Sequence, residues 1–143
     1  MATLNITRRT QPRIGTAVIR VVIVALTLAT ASIHASLGGL LFMANAIGYA
    51  AFAMAMIVPG PIGEVRWLVR LALIGFTSAT IGGWLLFGTR FPLAYVDKGI
   101  EVVLIAVVAL ELWRSDGGPI AIARQARRLV GRLAGSRTAR GTR

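Results

Sequence analysis

Polar and apolar positions along this chain do not alternate; they separate into blocks. Four apolar stretches stand out, at about residues 14–35, 40–58, 66–87 and 93–113. The first three have the length of about 20 residues that a bilayer-crossing helix needs. The breaks between them are short: 36–39, 59–65 with its Pro59-Gly60-Pro61 breaker, and 88–92 ending on Pro92, a favourable helix start. Backbone amides in hydrocarbon must find partners within their own segment, so helices are predicted for all four. Connections this short force sequential helices to run antiparallel. The expected fold class is therefore all-α: a four-helix transmembrane up-down bundle over residues 14–113, followed by a C-terminal amphipathic surface helix.

The fourth stretch breaks the pattern. After YVDKGIE (Tyr95 to Glu101), the segment from Ile100 to Leu112 spans only 13 residues. Either it does not cross a membrane, or Asp97, Lys98 and Glu101 enter with it. The basic residues decide the expectation. Arg8, Arg9 and Arg13 precede the first stretch, Arg66 follows the second, and Arg114, Arg124, Arg127, Arg128, Arg132, Arg137, Arg140 and Arg143 follow the fourth. The opposite side has only Arg90, with Lys98 further in. The positive-inside rule then places both termini in the cytoplasm, which requires an even number of spans. Trp67, Trp84 and Trp113 fall at stretch ends, where interfacial aromatics belong. The fourth stretch is expected to cross a cell (inner) membrane and to carry its charges in.

Composition supports this placement. Of 143 residues 56% are hydrophobic, mean hydropathy is +0.74, and only 15% are charged. The net charge of +11 flanks the apolar body instead of forming a nucleic-acid face, and no nucleic-acid partner is expected. The absence of cysteine excludes disulfides, thiolate metal sites and cysteine nucleophiles. A cleaved signal peptide ending near Ala29-Thr30-Ala31, introduced by Arg8-Arg9, is the rival reading of the start. It fits poorly, because the apolar run is too long and no apolar pair follows the arginines.

Depth along the helices locates the polar chemistry. At about 1.5 Å per residue, Asp97 lies roughly 6 Å and Glu101 roughly 12 Å below the outer surface. Asn45 lies roughly 7 Å down, with Tyr49 deeper; Thr80 and Ser78 lie roughly 10–14 Å down, and His34 sits at the boundary. The outer half should thus gather Asp97, Lys98, Glu101, His34, Asn45, Tyr49 and Thr80. The inner half should be apolar, with Arg20 and Arg70 reaching the cytoplasmic headgroups. Asp97 and Glu101 share a helix face with Leu104 and Val108, and Lys98 can pair with Glu101 three residues on. One carboxylate then lacks a local base; protonation, His34, Arg90 or a bound cation are its options. Such a cluster serves either as glue between helices or as a proton- or cation-handling site.

The stretches LLFMANAIGYAAFAMA and PLAYVDKGIEVVLIAVV resemble a family of small four-span membrane proteins of archaea and bacteria, whose last helix opens with Tyr-x-Asp-Lys-x-x-Glu. The likeness covers about residues 14–113. It implies the four-span fold and carries no activity.

Other signals change the picture little. Small residues four apart (Ala44 and Gly48; Gly75 and Ala79; Ser78 and Gly82; Ala79 and Gly83) let helices approach closely, with packing inside one bundle favoured over a dimer interface. His34 with Met43 is thin support for haem. His34, Asp97 and Glu101 are the one set open to zinc, and catalytic zinc usually has more histidine. No cofactor or metal is expected, and no catalytic motif appears. Beyond Asp116-Gly117-Gly118-Pro119, the residues Ile122, Ala126, Leu129 and Leu133 form an apolar stripe. Arg124, Arg127, Arg128 and Arg132 fill the remaining arc. That predicts a basic helix at about 117–135 on the anionic cytoplasmic leaflet of the bilayer, with residues 1–13 a basic arm and 136–143 disordered. The expected role is non-enzymatic: an accessory subunit of a larger membrane complex or a self-associating protein. A proton- or cation-coupled carrier, or a haem- or quinone-binding protein, is the alternative.

Overall fold

A computed structural model describes residues 14–58 and 65–117, together with Arg124 and Arg127. Four helices have both ends among the described residues: α1 (Ile14–Leu37), α2 (Leu40–Ile57), α3 (Arg66–Phe87) and α4 (Pro92–Asp116), with no strand among the described residues. The helices α1, α2 and α3 are long and apolar enough to cross a membrane, the pattern of a membrane protein. The 25 residues of α4 reach about 37 Å at 1.5 Å each, so it has the length but not the uniform hydropathy.

Local chemistry sets the boundaries. Between α1 and α2 only Gly38 and Gly39 remain, at φ 69° and 82°, a left-handed conformation that a side chain would make costly. Pro92 opens α4 behind Phe91, which is extended as residues before proline must be. Gly117 ends α4 in the left-handed conformation of a helix stop.

The helices close a ring in which α1 and α3 each pack between α2 and α4. Cross-helix pairs give the directions. Arg20 of α1 and Arg70 of α3 meet Glu111 of α4 at one end, while His34 meets Asp97 and Thr80 meets Glu101 at the other. Thus α1 and α3 run one way and α4 returns. Tyr49 reaching Glu101 and His34 lying beside Phe42 set α2 antiparallel to α1, completing the up-down order.

Large apolar side chains occupy the exterior of this fold as well as its centre. Ile23, Tyr49, Met56, Leu73, Leu104 and Val108 fill the centre, beside buried Thr27, Thr30, His34, Arg70, Thr77, Asp97, Glu101 and Glu111. The exterior carries Val21, Ile47, Met54, Leu86, Val102 and Leu110, all exposed. Along α4 between Leu93 and Trp113 every exposed residue is uncharged, and the three carboxylates there, Asp97, Glu101 and Glu111, are at most 2% exposed.

Three expectations need correction. Arg70 does not extend to headgroups: it is 3% exposed and forms two hydrogen bonds with Glu111, so the half of the bundle expected to be apolar contains its own ionic cluster. Trp67 is largely buried, whereas Trp113 is exposed and Trp84 half-buried. Among the small residues, Gly48 does pack inside the bundle, since an added Cβ would lie 2.6 Å from Phe76 Cζ. Cβ atoms added at Gly75, Gly82 or Gly83 would meet nothing within 4 Å. The basic arm 1–13, most of the segment 117–135 and the tail 136–143 lie outside the described residues.

Candidate functional site

The acidic start of α4 faces inward because the opposite face of that helix is apolar. Asp97, Glu101, Leu104 and Val108 follow one another at helical spacing and are all buried. Glu101, 0% exposed, is held from three sides. Its Oε1 accepts from the Tyr49 hydroxyl of α2 at 2.8 Å and lies 2.9 Å from Thr80 Oγ1 of α3. Its Oε2 accepts from Lys98 Nζ at 2.6 Å, the predicted pair three residues apart.

Around Glu101 the oxygens outnumber the hydrogens. Tyr49 Oη and Thr80 Oγ1 are 2.9 Å apart, so with Oε1 they form a closed triangle of contacts. Thr80 Oγ1 also lies 2.8 Å from the Thr77 carbonyl oxygen, which can only accept. Two hydroxyls supply two hydrogens to these four contacts.

Asp97 completes the cluster. Its Oδ2 lies 3.0 Å from Lys98 Nζ, so one ammonium serves both carboxylates. Its Oδ1 is buried without a hydrogen bond, 3.6 Å from His34 Nδ1. That ring nitrogen lies 3.0 Å from the Thr30 carbonyl oxygen, and a carbonyl only accepts, so Nδ1 carries the hydrogen and donates it. In the neutral form of the ring the acceptor is then Nε2. The His34 ring packs between Phe42 and Tyr49, at centroid distances of 6.0 and 5.5 Å.

A cavity of about 510 Å³ opens over this cluster at the end of the bundle where the α1–α2 and α3–α4 connections lie. His34, Asn45, Thr80, Asp97 and Lys98 are its polar residues near the cluster; Phe42, Phe76, Trp84, Phe87 and Phe91 are among its apolar walls. Asn45 is half-buried and lines the cavity. Arg90 takes no part: its guanidinium sits 4.4 Å from the Trp84 ring centroid and donates to the Leu85 carbonyl at 3.2 Å. Met43 is 45% exposed and does not line the cavity with His34, so the His/Met ligand pair is not assembled there. Ser78 is exposed and stands apart.

Seven predicted residues therefore meet at one place. One set of ligand atoms on His34, Asp97 and Glu101 lies within 4.8 Å of one another, a spacing open to a metal ion. Any such ion would compete with the Lys98 ammonium for both carboxylates.

The second cluster was missed from sequence. Glu111 Oε1 and Oε2 accept from Arg70 at 2.8 and 3.0 Å, and Arg20 Nε stands 3.9 Å from Oε1. The signal was available: Glu111 lies 14 residues after Asp97, close to four helical turns, and so falls on the same face. Arg124 and Arg127 are helical and exposed, while Arg128 and Arg132 lie outside the described residues.

Comparison with family models, with curated proteins and with solved structures finds no match to this chain.

Proposed function

We propose that this chain is a non-enzymatic integral membrane protein of four spans that holds an exchangeable proton at the His34–Asp97–Lys98–Glu101 cluster. Inward burial of the α4 carboxylates supports the fourth span: the side left toward lipid between Leu93 and Trp113 is uncharged. About 30 Å separates those two residues along the helix, one hydrocarbon thickness. With the termini cytoplasmic, as the arginine distribution favours, the cavity opens on the outer side of an inner membrane. This arrangement accords with the four-span fold that the sequence resemblance implies.

The observation that carries the proton reading is the oxygen-rich surrounding of Glu101. Two hydroxyl hydrogens leave contacts in the Tyr49–Thr80–Glu101 group unfilled, and one more proton on the carboxylate fills another. Charge points the same way. Two carboxylates face one ammonium, so with neutral His34 the cluster has one negative charge in excess. An uncompensated charge in the membrane interior costs at least about 2.5–3.5 kcal/mol, which favours taking up one cation. The proton is the smallest that fits without displacing Lys98. A proton-coupled carrier fits this chemistry better than inert glue does.

Proton flux in proteoliposomes under an imposed pH gradient tests the reading. Wild-type protein should pass protons above empty vesicles, and Glu101→Gln should abolish this while still folding. Unchanged flux in the variant, or no flux from either protein, rejects it.

Self-association is a second reading with its own observation. Gly75, Ser78 and Gly82 give α3 a stripe of small side chains, and Cβ atoms added at Gly75 and Gly82 meet nothing within this copy. A second helix could approach closely there. Crosslinking in membranes that captures a dimer, and loses it with Gly75→Leu plus Gly82→Leu, supports that role.

A further inference from the structure

The cavity above the cluster has a polarity that selects among ligands. Its walls are aromatic and aliphatic, and its about 510 Å³ lies within the range of small-molecule sites, roughly 300–1,000 Å³. Among its lining residues is Asp97, 2% exposed, one oxygen of which has no hydrogen-bond donor. A buried acceptor left empty is costly, and a ligand that brings a donor removes that cost.

From this geometry we infer that the cavity binds a lipophilic ammonium: an apolar body among Phe42, Phe76 and Trp84, with a protonated amine held at the Asp97 carboxylate. The inference rests on the proposed proton site and names the substrate class of that same cluster. A charge count separates an amine from a neutral or anionic ligand. His34 from α1 and Lys98 from α4 stand against Asp97, and Lys98 links it to Glu101, which Tyr49 from α2 and Thr80 from α3 contact in turn. With His34 neutral they sum, together with Asp97, to one excess negative charge, so the cluster attracts a single cation. Arg90 does not oppose this, since its guanidinium is occupied over the Trp84 ring and with the Leu85 carbonyl. Aromatic faces add their own attraction for a cationic head in a desolvated site.

A bound ammonium and a bound proton would answer the same excess charge. Each should therefore weaken the other, which is the coupling an exchanger needs. No bond is made or broken; the amine enters and leaves with its proton.

The test uses full-length protein in lipid nanodiscs with 4-phenylbutylamine as probe and 4-phenyl-1-butanol as its neutral counterpart, both followed by calorimetry against empty nanodiscs. The amine should bind at one site per chain, at least about tenfold tighter than the alcohol, one decade being about 1.4 kcal/mol. Asp97→Asn should lower amine affinity by about tenfold or more. A second variant guards against misfolding: Gly83→Leu adds bulk at a residue that lines the cavity, where a Cβ meets nothing within 4 Å, and leaves the charged cluster untouched. It should block the amine with an unchanged melting temperature. Equal binding of amine and alcohol, or amine binding indifferent to both variants, overturns the inference. So does stoichiometric Zn²⁺ binding on His34, Asp97 and Glu101 in protein that ignores the amine. Amine binding without proton flux removes the proton reading alone, whereas flux without amine binding removes this one alone.

Discussion

Arg70 and Glu111, 41 residues apart in sequence, face each other through two hydrogen bonds of 2.8 and 3.0 Å inside the bundle. Their side chains are 4% and 1% exposed. This pair ties α3 to α4 at the end opposite the cavity. Fourteen residues of α4 separate Glu111 from Asp97, so the two ionic clusters stand about 21 Å apart along one helix.

Removing one partner of such a pair strands the other's charge. Glu111→Ala should destabilise the protein by about 3–5 kcal/mol. The double replacement Arg70→Met with Glu111→Leu should cost much less, because neither charge remains buried. Thermal unfolding in mild detergent compares them, and equal losses would show that a stranded charge is not the source of the cost.

Tyr49 is a donor to Glu101 and also packs edge-on against Phe76 at 5.0 Å. Tyr49→Phe keeps the ring and removes only the hydroxyl. A loss of about 1–3 kcal/mol is expected, the cost of leaving a buried acceptor short of a donor. Thr80→Val should act in the same direction. A melting temperature unchanged in both variants would show that Glu101 does not depend on this group.

Two glycines make a controlled contrast. Gly48→Ala places a Cβ 2.6 Å from Phe76 Cζ, and an overpacked core loses about 1–3 kcal/mol. Gly75→Ala meets nothing and replaces a poor helix former, so a gain of about 0.5–1 kcal/mol is expected. Circular-dichroism melts decide the sign in each case.

The absence of native cysteine makes topology directly testable. A single cysteine at Ser36, beside the α1–α2 turn, should react with an impermeant maleimide from outside intact cells. One at Ser115, near the end of α4, should react only after the membrane is opened. The same accessibility at both sites would remove the fourth span.

The gathering of His34, Asn45, Tyr49, Thr80, Asp97, Lys98 and Glu101 is legible in the sequence, because antiparallel helices with short connections bring equal depths together. Depth says nothing about which way a side chain turns, and there the structure departs from the sequence reading. Arg70 was expected to reach headgroups because a long side chain near a membrane edge usually does. Glu111 on the facing helix held it inside instead. Gly75 and Gly82 carry the same spacing signal as Gly48, yet only Gly48 has a neighbouring aromatic ring to receive.

Hydropathy blocks, breakers and the placement of glycine and proline were enough to determine four helices and, to within about three residues, their limits, since those depend on local backbone chemistry and on a run of side chains read in order. They also determined that α4 brings charge into an apolar body. Which charges pair, which carboxylate oxygen is left without a donor, and that a cavity lies above it were decided only by tertiary packing. Those outcomes depend on the rotation of each helix about its axis, which contacts among all four set together and no single segment encodes.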